Sequence, residues 1–260
     1  MLGLLVLAAC DVRTEVLVDV EDSGAGVVTV AVGLDPDAVD RLPSLDDLVL
    51  VDDLDEAGWT VTGPDRDGDG TTWFRADKRF ATPEEATAIL AEISGPDGPF
   101  RNLTLGREQA IGRTRFEFTG TVDLTGGIGA FSDAALAQSL EGQPLGEPIE
   151  AIETRLGEAA ADVFSFELAV RLPGDVDSNA PPGGDASTSE AVWAPSLADT
   201  SPTEVSASSE LWRSTTLIAL GVGVAALALL LAWTVAQLVM RRRRRADEGE
   251  AGGEGGPTRW

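Results

Sequence analysis

Apolar and polar side chains alternate along much of this chain. Val16, Val18 and Val20 are interleaved with Leu17 and Asp19, the turn-forming run Glu21-Asp22-Ser23-Gly24-Ala25-Gly26 follows, and residues 27–32 are again apolar or β-branched. Period-two alternation on both sides of such a run predicts a β-hairpin. Residues 59–62 and 71–80 flank a second turn and predict another hairpin. Residues 34–39, entered through Pro36, and 45–57, stopped by Gly58, predict helices. Thr82-Pro83-Glu84-Glu85 is a capping box, and the helix it opens has Ala86, Ile89, Leu90 and Ile93 on one face before Gly95-Pro96 stops it.

Farther along, residues 103–108 and 114–124 predict a strand pair about Gly112. Phe116, Phe118, Gly120, Val122 and Leu124 share one face, and Arg115, Glu117, Thr119 and Thr121 the other. Residues 131–140 and 149–161 predict helices. Phe164, Phe166, Leu168, Val170 and Leu172 alternate across a strand at 163–172. Residues 175–189, rich in Gly, Pro, Asp and Ser, have the composition of a linker. Beyond them, the runs 190–196 and 203–208, anchored by Trp193 and Val205, predict a small terminal hairpin rather than a stalk. The sum is an α+β domain: a curved antiparallel sheet with helices on one face.

The alternation ends at residue 214. Residues 214–240 carry no charge, and Gln237 is their one strongly polar side chain. About 20 apolar helical residues cross a hydrocarbon core of about 30 Å, so a transmembrane helix is expected over 211–240. Arg241, Arg242, Arg243, Arg244 and Arg245 follow at once, whereas the other flank offers only Arg213, offset by Glu210. The positive-inside bias predicts a single-pass protein of the cell membrane, with the bulk outside and a cytoplasmic tail at 241–260. Trp212 falls where an interfacial aromatic is expected. At the other end, residues 1–9 form an apolar run closed by Leu7-Ala8-Ala9-Cys10, which resembles a bacterial lipobox with Cys10 as the lipidated residue. No Lys or Arg precedes it, so translation is expected to begin upstream.

Composition narrows the chemistry. Cys10 is the sole cysteine, so no intramolecular disulfide supports the domain expected over 10–210. Lys plus Arg number 19 against 44 Asp plus Glu, a net charge of −25, which repels phosphate backbones and argues against nucleic acid as a partner. There is no histidine, which removes His-based triads and most zinc catalysis. Asp65-Arg66-Asp67-Gly68-Asp69-Gly70 starts like an EF-hand loop, but Ala76 stands where the closing Glu belongs and strands flank it, so an acidic hairpin loop is expected. No metal, cofactor or catalytic residue is expected, and the chain reads as a non-enzyme.

Taken in order, several of these features resemble the LppM-like lipoproteins of high-GC Gram-positive bacteria. They are the lipobox Cys10, the Val-x-Val-x-Val hairpin with its acidic glycine turn, Gly58-Trp59, the Phe116-Glu117-Phe118 strand, Leu172-Pro173-Gly174 leading through Ser178-Asn179 to Trp193, and Ser206-Ala207-Ser208. The resemblance implies a lipid-binding-like α+β fold around an apolar cavity, with envelope glycolipids such as phosphatidylinositol mannosides as ligands. Two function classes follow. In the first, the domain binds lipid or glycolipid, with Phe116, Phe118, Phe164 and Phe166 lining an apolar pocket, although an ordinary core would use the same rings. In the second, it is a protein-binding or scaffolding ectodomain without a small-molecule ligand.

Overall fold

A computed structural model of the chain describes residues 11–41, 51–95, 98–125, 163–182 and 189–212. Residues 1–109 and 114–211 belong to one compact unit; of the second, 110–113 and 212–260, the description covers only 110–113 and Trp212. The described elements are β1 (Val12–Val20), β2 (Gly26–Leu34), α1 (Pro36–Arg41), α2 (Val51–Glu56), β3 (Thr60–Arg66), β4 (Thr72–Phe80) and α3 (Pro83–Ser94). They continue with β5 (Phe100–Ala110), β6 (Arg113–Val122), β7 (Phe164–Arg171), β8 (Val176–Ser178), β9 (Glu190–Trp193) and β10 (Thr203–Trp212). The strands form two sheets, β3-β4-β2-β1-β7-β9 and β5-β6-β10-β8.

The first hairpin forms where alternation placed it. Val12 to Val20 pair with Leu34 to Gly26, and the turn closes through bonds from the Glu21 amide to the Ala25 carbonyl and from the Gly24 amide to the Glu21 carbonyl, both 2.8 Å. Gly26 is there because nothing larger fits: a Cβ would run into the carbonyl oxygen of Asp19 and the ring of Phe80. β2 then pairs antiparallel with β4, and β4 with β3, whose register shifts between Thr62 and Asp65. On its other side β1 pairs parallel with β7, from Val12 opposite Phe164 to Asp19 opposite Arg171. Arg171 fastens this junction, with ion pairs of 3.0 Å to Asp19 and to Glu190 of β9.

The inward residues of both sheets belong to one apolar core. Val16, Val18, Leu168 and Val170 come from the first sheet, Leu105, Phe116, Phe118 and Val205 from the second, and Ala86, Ile89 and Leu90 from α3. Ring contacts cross between the sheets, Phe100 to Phe166 at 5.5 Å and Phe118 to Trp193 at 6.4 Å. Truncating such a buried ring costs about 3–5 kcal/mol, so these pairs fix how the sheets face each other.

Helix α3 is held as its capping box predicts, with one difference. Thr82 Oγ1 accepts from the Glu85 amide at 3.3 Å, but the Glu85 carboxylate reaches the Ala81 amide at 2.7 Å, one residue before the cap. Two hydroxyls of this helix also serve β5, an outermost strand of the second sheet. Ser94 Oγ accepts from the Phe100 amide at 3.0 Å and donates to its carbonyl at 2.9 Å, and Thr87 Oγ1 accepts from the Leu105 amide at 3.1 Å. These bonds satisfy backbone groups that an outer strand otherwise leaves open.

Three expectations are corrected. The fold is not an antiparallel sheet with helices on one face: the described residues are mostly strand, in two sheets, the larger one mixed because β1 and β7 run parallel. The second sheet takes the place expected of helices; α1 and α2 have six residues each, and the helices expected at 131–140 and 149–161 lie outside the described residues. The terminal hairpin does not form either. β9 pairs with β7 in the first sheet and β10 lies between β6 and β8 in the second, because Trp193 and Val205 each bury into the common core. Finally, the single-pass topology and its cell-membrane localisation find no support. No helix among the described residues is long and apolar enough to cross a membrane. The longest, α3, has 12 residues with one face on the core, and at 1.5 Å per residue spans about 18 Å. Leu211 and Trp212, expected to open the span, end β10 instead; residues 213–260, which hold the rest of it and Arg241 to Arg245, lie outside the described residues, as does Cys10.

Substituting Gly26→Ala is expected to destabilise the domain by about 3 kcal/mol through the backbone collision, read as a shift of the denaturant midpoint with little change in its slope.

Candidate functional site

The outward face of the second sheet carries a groove of about 340 Å³, and the side-chain lengths explain it. β10 turns Val205, Ala207 and Ser209 inward, which leaves the short Ser206 and Ser208 on its outer side. β6 and β8 flank it with longer groups. Arg115, Glu117 and Thr119, alternating with the buried Phe116 and Phe118, form one wall, and Asp177, Ser178 and Asn179 form the other. A strand of serines between two strands of larger polar residues makes a trough.

Asn179 builds its end of the wall. Its Oδ1 accepts from Trp193 Nε1 and from the Ser206 amide, both at 2.9 Å, and its Nδ2 donates to the Glu204 carbonyl at 2.9 Å. Its own amide donates to the Ser206 carbonyl at 3.1 Å. One side chain thereby ties β10 to the indole of β9, a strand of the other sheet. With these bonds made, Asn179 holds the groove in shape, and the exchangeable contacts fall to its neighbours. Those neighbours offer hydroxyls on Thr119, Ser178, Ser206 and Ser208, carboxylates on Glu117 and Asp177, and the guanidinium of Arg115. Donors and acceptors are mixed at short spacing, which suits a ligand rich in hydroxyls. The serines have no imidazole to activate them, since the chain contains none.

The aromatics expected to line an apolar pocket lie elsewhere. Phe116 and Phe118 are fully buried, Phe166 is 3% exposed, and Phe164 packs partly buried against the same core. The two pairs stand on different sheets that face each other, and none of the four lines the groove. The groove residues went unread because their juxtaposition needs β10 to lie between β6 and β8. The available signal was the polar alternation Arg115, Glu117, Thr119, which marks a solvent-facing strand face.

Three other charged clusters lie outside the groove. In the 65–70 loop, Asp67 Oδ1 accepts from the Gly68 amide at 2.6 Å and Asp69 Oδ1 from the Thr71 amide at 2.9 Å. The Thr71 backbone bond is the main cause holding Asp69 below the usual carboxylate range. Near α3, Trp59 Nε1 and Lys78 Nζ both donate to Glu92, at 2.9 and 2.7 Å, with the ammonium 5.5 Å from the indole centroid. On the outward face of the first sheet, Glu15 stands beside Glu167 in the parallel register. Burial, then the Glu167 charge, raises the Glu15 pKa above its ordinary 4.5, against the opposing pull of Arg75 and Arg13.

No protein-family model matches the chain, and no curated protein matches it. Among solved structures, it is similar to the NMR structure of the folded domain of Mycobacterium tuberculosis LppM, at 14% identity and a TM-score of 0.41, over 83% of this chain and 99% of that one. A likeness of that degree supports no statement about ligand or activity.

Asn179→Ala leaves the buried Trp193 Nε1 without its acceptor, and a loss of about 1–3 kcal/mol is expected in chemical denaturation. Glu15→Gln is expected to stabilise the domain at about pH 7 and to be neutral at about pH 4. A raised folded-state pKa means that the Glu15 contribution is complete below about pH 4.5 and lost as pH rises above it. Denaturant midpoints of the two proteins at both pH values check this.

Proposed function

We propose that the domain is a non-catalytic binding module of the LppM-like kind, which takes an envelope glycolipid by its sugar-bearing headgroup in the groove of the second sheet. The observation that carries this reading is the groove lining itself, with hydroxyls, carboxylates and one guanidinium set around a floor of serines. Sugar hydroxyls both donate and accept, so a lining of mixed character satisfies them where an apolar one leaves them unpaired. Phe116, Phe118 and Phe166 are buried in packing the sheets together, which favours the polar end of the ligand over its acyl chains.

Titration of the full chain with a phosphate-free mannosyl-inositol, followed by calorimetry or NMR, is expected to give saturable binding. Glu117→Ala and Asp177→Ala, at solvent-facing positions, should each weaken it about tenfold while leaving thermal stability within a few degrees. Saturable binding of palmitate, with none of the mannoside, would replace this reading with an acyl-chain site.

A further inference from the structure

Ile111 and Trp212 are the large apolar side chains that the described residues leave open to solvent, 82% and 63% exposed. Single apolar groups scattered over a surface are ordinary, but these two belong to one compact unit, which takes in residues 110–113 and Trp212. Ile111 stands in the two-residue turn that joins β5 to β6, and Trp212 is the last residue of β10, the strand beside β6. Tight turns favour Gly, Asn, Asp, Ser and Pro for conformational reasons. Gly112, at φ +80°, meets that demand, whereas nothing in the turn calls for a branched apolar residue before it. The charge around the turn is also reversed. Residues 107–115 carry Arg107, Arg113 and Arg115 against the one carboxylate of Glu108, in a chain with a net charge of −25. Arg113 and Arg115 are exposed.

We propose that the β5–β6 turn and the end of β10 dock on the surface of an anionic lipid bilayer, with Ile111 and Trp212 entering the interface and the arginines that flank the turn facing the headgroups. An indole suits that boundary, because its ring is apolar and its N–H donates to the polar side. Interfacial binding grows with the apolar area buried and with attraction to anionic lipid, and each basic side chain near the surface adds to it. The same surface repels the acidic remainder of the chain, so the contact is oriented as well as held. A protein partner fits less well. A stable interface buries about 800 Å² on each side, more than two side chains provide, whereas lipid admits apolar groups one at a time. The contact is peripheral and uses no spanning segment. It is made by the turn rather than by the groove, so it goes beyond the headgroup reading and does not depend on it.

The test is paramagnetic broadening in proton–nitrogen spectra of the full chain, mixed with phosphatidylcholine bicelles that carry a doxyl-labelled lipid, with and without phosphatidylglycerol. Neither lipid carries a sugar. With phosphatidylglycerol present, the Ile111 and Gly112 amides and the Trp212 indole N–H are expected to broaden severalfold more than an exposed amide elsewhere, such as that of Gly68. Removing phosphatidylglycerol should weaken the effect severalfold. The Gly112 amide is decisive, because Ile111→Asp, a change at an exposed turn position, should abolish its broadening while leaving Tm within a few degrees. Unbroadened Ile111 and Gly112 amides in the wild-type chain overturn the proposal. Gly112 broadening that survives Ile111→Asp undiminished, or that is equal in the two bicelles, overturns it equally. Concentration-dependent shifts of these signals without lipid, together with no response to either bicelle, overturn it in favour of a contact between copies of the chain.

Discussion

The parallel pairing of β1 with β7 is the constraint from which the rest of the domain takes its arrangement. Antiparallel neighbours can be joined by a tight turn, but parallel ones need a crossover. Here the crossover contains β2 to β6 and all three described helices before the chain returns at Phe164. β2, β3 and β4 extend the first sheet on the β1 side, while β5 and β6 are carried across to begin a second. Once β7 is seated, Phe166 meets Phe100 and the last strands find places on both sheets. The ion pairs from Arg171 to Asp19 and Glu190 lie at the end of this seam, where three strands that are distant in sequence converge.

That constraint also explains which parts of the fold were legible in the sequence. The first two hairpins, the α3 cap and the face assignments of Phe116 and Phe118 or Phe166 and Leu168 depend on neighbours within a few residues, and these are found as read. Sheet membership depends on partners beyond the reach of any local period, from Leu168 with Trp193, 25 residues on, to Val12 with Phe164, 152 residues on. The runs around Trp193 and Val205 look like a hairpin because they are short, adjacent and alternating. They separate because each can bury its inward side chains more completely against a different sheet. The candidate groove failed to show for the same reason, since Ser206 and Ser208 are unremarkable until β6 and β8 stand on either side of them.

Local chemistry and distant topology meet at Asn179. Its residue type suits it to satisfy two donors with one carbonyl oxygen while its amide nitrogen donates elsewhere, and the fold brings an indole, a strand amide and a strand carbonyl to it. The inner and outer faces of the second sheet are thereby linked mechanically. A change in how Trp193 packs against Phe118 alters the position of Asn179, and with it one wall of the groove.

The hydroxyls that α3 lends to β5 bear on the behaviour of many molecules together as well as on one alone. Ser94 and Thr87 occupy amides that would otherwise point outward from an eleven-residue strand. If the helix lifts, Phe100 and Leu105 present bare donors to solvent, and a second copy can dock there by extending the ladder. Docked α3 therefore closes this edge to such pairing, and Ser94 and Thr87, two turns apart on the helix, hold the cover at two points.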